Sequence, residues 1–142
     1  MAEPLMRPAE PRDCAALERL IQQLGYIAAQ RDIATRLDAI RADGREVLVA
    51  ELDGTVVGCL STSIMQVLHR PKPVGRISML VVAEGLRGQG IGAALVRAAE
   101  DWLIAQGCGL VEVTSNVKRT DAHLFYEKLG YEKTSVRLSR EP

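Results

Sequence analysis

The stretch from Ile77 to Gln106, ISMLVVAEGLRGQGIGAALVRAAEDWLIAQ, constrains this chain most. Ile77 to Val82 is a near-continuous apolar run, the mark of a strand covered on both faces. Leu95, Ala98, Ala99, Trp102 and Leu103 then share one face of a helix that Gly107 closes. Between strand and helix stands Arg87-Gly-Gln-Gly-Ile-Gly92, with glycines at alternate positions. Glycine lets a backbone approach a ligand closely, because no Cβ intervenes. The first N–H groups of a helix lack internal partners and lie at its positive dipole end. The arginine adds a charged fork suited to phosphate. The unit therefore reads as a holder for a phosphate-bearing molecule. The alternative is a tight turn whose glycines serve dihedral angles alone.

The flanking sequence supplies further elements. Leu5 to Pro8 reads as an edge strand, since proline cannot donate to a ladder. Asp13 suits an N-cap, and Leu17, Leu20, Ile21 and Leu24 follow at helical spacing up to Gly25. Ile33, Leu37 and Ile40 give a second helix ending near Gly44; Tyr26 to Gln30 fits a loop or a helix start. Glu46 to Leu52 and Thr55 to Gln66 are strands joined by Asp53-Gly54, a strong hairpin signal, with Gly58 a candidate bulge. Val67 to Gly75 reads as a loop. Leu110 to Val113 is a short strand. Thr120 suits an N-cap for a last helix carrying Ala122, Phe125, Tyr126 and Leu129, stopped at Gly130. Tyr131 to Leu138 alternates loosely and is expected to form a final strand. The order β-α-α-β-β-β-α-β-α-β describes an α+β fold, a mixed sheet with helices packed on it.

Composition sets limits. A chain of 142 residues fits one domain, here 1–142, without linker or repeat. Lys+Arg and Asp+Glu are both 18, so no basic surplus points to nucleic acid or an anionic membrane. Cys14, Cys59 and Cys108 show neither disulfide nor metal-ligand spacing, and two isolated histidines, His69 and His123, make a poor metal case. No metal is expected. No apolar run approaches membrane-spanning length, and the N-terminal stretch has no apolar signal core. A soluble cytoplasmic protein is expected.

Gly88-x-Gly90-x-x-Ala93 also fits a dinucleotide fingerprint, but that motif follows its strand almost at once, in the first βα unit. Here Ala83 to Arg87 intervene and three strands come earlier. No Gly-Lys-Ser/Thr follows, which excludes a nucleoside triphosphate loop. Leu80-Val-Val82 followed by Arg87-Gly-Gln-Gly-Ile-Gly92 resembles the acetyl-CoA signature of the GNAT superfamily of N-acetyltransferases. Asp121-Ala-His-Leu-Phe-Tyr-Glu-Lys-Leu-Gly-Tyr131 is similar to the family's C-terminal block, and the element order matches. The resemblance covers nearly the whole chain. It implies a mixed, mostly antiparallel sheet of about six to seven strands with about four helices.

The resemblance also implies roles. Backbone amides of Gly88, Gln89, Gly90, Ile91, Gly92 and Ala93, with the Arg87 side chain, would hold the pyrophosphate of acetyl-CoA, the co-substrate. Leu80, Val81 and Val82 would pair with its pantetheine arm where the strand splays from its neighbour. The N–H of Val82 would polarise the thioester carbonyl, because amine attack builds an oxyanion. Tyr126 matches the tyrosine that gives a proton to the departing thiolate; by spacing alone it is equally a core residue. Glu112 matches a glutamate that some members use as general base, with a water chain as the other candidate for that role and a solvent-facing strand residue as the alternative for Glu112 itself.

Two departures stand out. The strand Arg76 to Leu80 lacks the acidic residue many relatives carry. The common asparagine position is occupied by Arg119, with Asn116 earlier in the chain. The run Thr114 to His123 looks closer to the aminoalkylphosphonate N-acetyltransferases. In that reading Asn116 binds the pantetheine arm, Arg119 reaches a phosphate, and Arg76, His69 and Lys72 offer a cationic pocket. A capped loop is the plain alternative. The implied activity is acetyl transfer to a primary amine, on a small molecule or a peptide, by direct attack in a ternary complex. A non-catalytic acyl-CoA-binding module is the alternative. The edge of the final strand offers a surface for a homodimer.

Overall fold

The computed structural model describes residues 3–142. The first two residues of the N-terminal stretch and of the 1–142 span lie outside it. A five-stranded sheet runs β1-β2-β3-β4-β5 in space as in sequence. β1 (Leu5–Pro8), β2 (Val47–Leu52), β3 (Thr55–Met65) and β4 (Val74–Val82) pair antiparallel, whereas β5 (Leu110–Val113) joins β4 in parallel. The connections dictate this. Asp53 and Gly54, at φ +50° and +80°, make the two-residue hairpin between β2 and β3. The path from β4 to β5 contains α3 (Ile91–Ala105), long enough to bring the chain back in parallel.

Helices α1 (Cys14–Gln23) and α2 (Gln30–Ala42) cover one face of the sheet, and α3 and α4 (Thr120–Lys128) the other. Strand alternation separates the two cores. Val47, Val49, Cys59 and Val81 meet Leu17, Leu20, Ile33 and Leu37. Leu48, Ala50, Leu60 and Ile77 meet Leu95, Val96 and Ala99. All four helices close alike, with an N–H just past the terminal glycine bonded back across the last turn: Tyr26 to Ile21, Arg45 to Ile40, Cys108 to Leu103, Tyr131 to Tyr126, at 3.0–3.2 Å.

Several expectations are corrected. Among the described residues the sheet has five strands, not six to seven. The missing one is Tyr131 to Leu138, which forms no strand. Its alternating apolar residues, Val136 and Leu138, stay exposed, too little apolar surface to fix a register. The pairing edge expected there for a homodimer therefore has no strand to rest on. β4 starts at Val74, three residues earlier than its apolar run. Arg119, not Thr120, takes the cap position of α4. Asp13 precedes α1, but its carboxylate does not cap the helix; it turns to Arg7. Trp102, whose place on the apolar face of α3 is most simply read as core, is only half-buried. The β2–β3 bulge falls on Val57, beside Gly58, since Ala50 faces Gly58 and Glu51 faces Val56. Gly58 is small for a packing reason: a Cβ there would lie 3.0 Å from Leu95 Cδ1 and 3.2 Å from the Val81 carbonyl.

Candidate functional site

β4 and β5 stay together for four residue pairs only, from Val74 opposite Leu110 to Ile77 opposite Val113. Beyond Ile77, β4 continues along β3 while β5 ends, so the sheet opens into a fork. A bulge marks the parting: Met79 faces Ser61 and Ile77 faces Thr62, leaving Ser78 as the extra residue. Along the open side, polarity follows from strand alternation. The N–H of Ala83 donates to the Val57 carbonyl on β3, at 2.8 Å. Val82 therefore turns its N–H and carbonyl away from β3, and Leu80 does the same. Val81, between them, faces Cys59 and buries its side chain. The Leu80 and Val82 side chains pack with the α3 core.

The fork leads to the glycine turn, whose glycines do different jobs. Gly88 and Gly90 have φ of +80° and +82°, and a Cβ on either would meet no protein atom within 4 Å. The space above them is open and the backbone there demands glycine. Gly90 is the N-cap of α3; no side chain caps it, and no acidic residue lies in the first turn. The first helical bond runs from the Ala94 N–H to the Gly90 carbonyl, at 3.0 Å. The N–H groups of Gly90, Ile91, Gly92 and Ala93 thus remain available at the positive end of the helix. Ile91 anchors this turn by burying its side chain, while Arg87 and Gln89 are exposed beside it. Gly92 serves packing instead: its Cβ would stand 3.3 Å from Phe125 Cζ and 3.6 Å from Val82 Cγ2. The shared Phe125 contact brings α4 against the head of α3 and the end of β4.

Tyr126 follows Phe125 and lies in an aromatic row, edge-on to Phe125 at 5.1 Å and to Tyr131 at 5.8 Å. Burial pushes its phenol above the ordinary value, with the Arg119 charge drawing it partly back. It therefore carries its proton at neutral pH. Tyr131 differs, because its hydroxyl donates to Glu100 Oε2 at 2.6 Å.

Glu112 stands directly across from Arg76 in the β4–β5 ladder, and both Nε and Nη2 of Arg76 donate to its Oε1, at 2.9 and 2.6 Å. Val111 and Val113 point into the α3 core, so Glu112 projects from the opposite face, one residue short of where the strands part. Arg76 is thereby committed to a carboxylate rather than free for a dianion. His69 is exposed in the loop before β4, and the Lys72 stem packs over Gly109. Both lie beyond the first residue of β4, whose length separates them from the glycine turn by roughly 25 Å at a strand rise of 3.3 Å per residue. Asn116 is used within its own loop. Its Oδ1 accepts from the Lys118 N–H at 2.9 Å, and its carbonyl accepts from the Arg119 N–H at 3.0 Å and meets His123 Nε2 at 2.9 Å. Arg87 and Arg119, both exposed, enter no ion pair among the described residues.

One contact at the site has no signal in the sequence. Gln23, at the end of α1, bonds the backbone where β4 leaves the sheet. Nothing in helical spacing marks it, because its partners lie 59 and 61 residues away. Among the described residues no group of three His, Cys, Asp or Glu side chains could hold a metal, and no helix is long and apolar enough to cross a membrane.

The fork and turn can be set beside known proteins. The sequence model of the Acetyltransferase (GNAT) family matches residues 13–131. An aminoalkylphosphonate N-acetyltransferase of Salmonella typhimurium is 39% identical over 88 residues, 62% of this chain and 57% of that relative. The matched part thus spans little more than half the length of that relative. An aminoglycoside N(6')-acetyltransferase type 1 of Stenotrophomonas maltophilia is 29% identical over 92% of this chain and 88% of its own. Among solved structures, glucosamine-6-phosphate N-acetyltransferase from Arabidopsis thaliana shares the fold, with a TM-score of 0.87, 24% identity and 99% of each chain covered.

Proposed function

The chain belongs to the Acetyltransferase (GNAT) family, and on that premise we propose that its one domain, 1–142, transfers an acetyl group from acetyl-CoA to a primary amine. The observation that carries this reading is the fork. β4 turns the N–H and carbonyl of Leu80 and the N–H of Val82 to an open side, the Val82 carbonyl being held by Gln23, and runs from there to the free N–H groups at the head of α3. An extended ligand with a pyrophosphate at one end and an amide-bearing arm at the other matches both segments. The residues fit such a group: space stands open above Gly88 and Gly90, and no acidic side chain opposes phosphate in the first turn. Arg87 adds positive charge, Gln89, Ile91, Gly92 and Ala93 contribute backbone, and Val81 holds the rail in register.

In this mechanism the amine attacks the thioester carbonyl directly, a C–N bond forming as the C–S bond breaks. The Val82 N–H stabilises the oxygen that gains charge. Tyr126 gives its proton to the departing thiolate. Glu112, held by Arg76, takes one proton from the incoming ammonium through its second carboxylate oxygen and passes it to solvent; after attack the nitrogen loses its second proton, which restores the one Tyr126 gives to the thiolate. A cysteine nucleophile is not required. Cys14, Cys59 and Cys108 are all buried, and burial pushes the Cys59 thiol up to about 12, far from the thiolate a nucleophile needs. Three unpaired cysteines also suit a reducing, cytoplasmic setting. In this reading Arg119, exposed and in no ion pair among the described residues, serves as a cation for phosphate, and Asn116 serves the pantetheine arm. The acceptor is a small amine, with aminoalkylphosphonates, aminoglycosides and peptide amines as the classes to try. The commitment of Arg76 to Glu112 removes one cation from the pocket a phosphonate would use.

Thiol release from acetyl-CoA across a panel of these amines tests the reading. Release dependent on at least one amine supports it. Tight CoA binding without release for any amine supports the binding module instead. Glu112→Gln is expected to lower turnover roughly tenfold at pH 7 and much less near pH 10, where the free amine is already abundant. Equal turnover at pH 7 would remove Glu112 from the mechanism.

A further inference from the structure

Gln23 is the last residue of α1, and its side chain reaches the exit of β4. Its Nε2 donates to the Val82 carbonyl at 2.7 Å, and its Oε1 accepts from the Glu84 N–H at 2.9 Å. The two bonds straddle Ala83, whose own N–H goes to Val57 on β3. Three successive backbone groups are thus held from two directions. A carboxamide suits this task because it offers a donor and an acceptor together. Asparagine is one methylene shorter, and glutamate has no donor.

The clamped peptide is a junction. One way leads to the Val82 N–H at the mouth of the fork. The other leads through Glu84, Gly85 and Leu86 to Arg87 and the glycine turn, a connection that is largely exposed. A ligand that touches both segments benefits only if they are held at the right spacing beforehand. Without the clamp, Ala83 alone ties the connection to the sheet. We propose that Gln23 is a positioning residue for CoA, fixing the Val82–Glu84 peptide so that the strand and the glycine turn receive one ligand together. This rests on the reading of the fork as the CoA site.

Gln23 also borders a cavity of about 370 Å³ shared with Arg19, Leu20, Val57, Ala83 and Leu86. Its amide is therefore held by hydrogen bonds more than by enclosure, and truncation removes those bonds with little loss of packing.

The test is calorimetric titration of CoA into wild type, Gln23→Ala, Gln23→Glu and Ile33→Val, with thermal unfolding of each. Ile33 lies in the same helical layer, away from the junction, and its variant controls for stability loss alone. The alanine variant is expected to bind CoA about tenfold more weakly than wild type. The glutamate variant keeps the side-chain length and the Glu84 bond but sets a carboxylate oxygen against the Val82 carbonyl, and it is expected to bind no better than the alanine variant. Ile33→Val should bind CoA as wild type does. Wild-type affinity in the two Gln23 variants overturns the inference while leaving the CoA site standing. So does an equal weakening in Ile33→Val. Failure of the wild type to bind CoA overturns both.

Discussion

Tyr126→Phe is expected to lower turnover about a hundredfold while CoA affinity stays within about twofold of wild type. The substitution removes one oxygen and keeps the ring. The edge-on contacts with Phe125 and Tyr131, at 5.1 and 5.8 Å, are made by ring faces and edges that phenylalanine retains. Stability should therefore change little, and the loss should fall on the chemical step. The site favours a proton donor, since burial raises the phenol above its usual value and keeps it protonated. Tyr131→Phe is the contrast, because that hydroxyl is already engaged by Glu100. The measurement is thiol release at saturating acetyl-CoA with an accepted amine. Turnover equal to wild type in Tyr126→Phe would reduce Tyr126 to a packing residue.

The second large effect concerns stability. Asp13→Ala is expected to cost about 3 kcal/mol, read as a lower urea midpoint at neutral pH. Arg7 on β1 places Nη1 2.8 Å from Asp13 Oδ2 and Nη2 3.0 Å from Oδ1, a two-bonded fork, and Nη2 also reaches Glu51 Oε1 at 3.0 Å. The Glu10 N–H donates to the same carboxylate at 2.7 Å. The Arg7 and Asp13 side chains are only 13% and 5% exposed. Truncation would leave a nearly buried guanidinium short of charge and a backbone donor unpaired, which costs more than losing a surface pair. The fork also holds the Asp13 carboxyl below its ordinary value, against the opposing effect of burial. A depressed carboxyl stabilises the fold fully above its unfolded value, about 3.9. That stabilisation disappears as pH falls through the lower, folded value. The gap between wild type and Asp13→Ala should accordingly hold from neutral pH down to about pH 5 and narrow below about pH 4. A gap that stayed constant into that acid range would mean the carboxylate charge contributes nothing.

Asp13 also illustrates how sequence and structure divide the account. Its position ahead of α1 was legible, because N-terminal residues of helices have a recognisable chemistry. That its carboxylate serves Arg7 instead of the helix was not, since Arg7 and Glu51 meet it only when β1 pairs with β2. The fork of β4 and β5 divides in the same way. Its strands could be read from apolar runs, and its glycine turn from alternation beside an arginine. The exact place where the strands part depends on Ser78, an extra residue visible only against β3.

The sequence by itself determined the features that depend on neighbouring residues. These are the Asp53-Gly54 hairpin, the helix ends at Gly25, Gly44, Gly107 and Gly130, and the strand, glycine turn and helix from Ile77 onward. Their requirements are dihedral angles and local hydrogen bonds, which a short stretch of chain can encode. Tertiary structure decided what each side chain meets. It separated Gly92, which makes room for Phe125, from Gly88 and Gly90, which serve the backbone. It set Arg76 against Glu112 across a parallel ladder, brought Gln23 to Val82, and left Tyr131 to Leu138 without a partner strand. Such pairings depend on register and packing between distant segments, and no spacing within either segment records them.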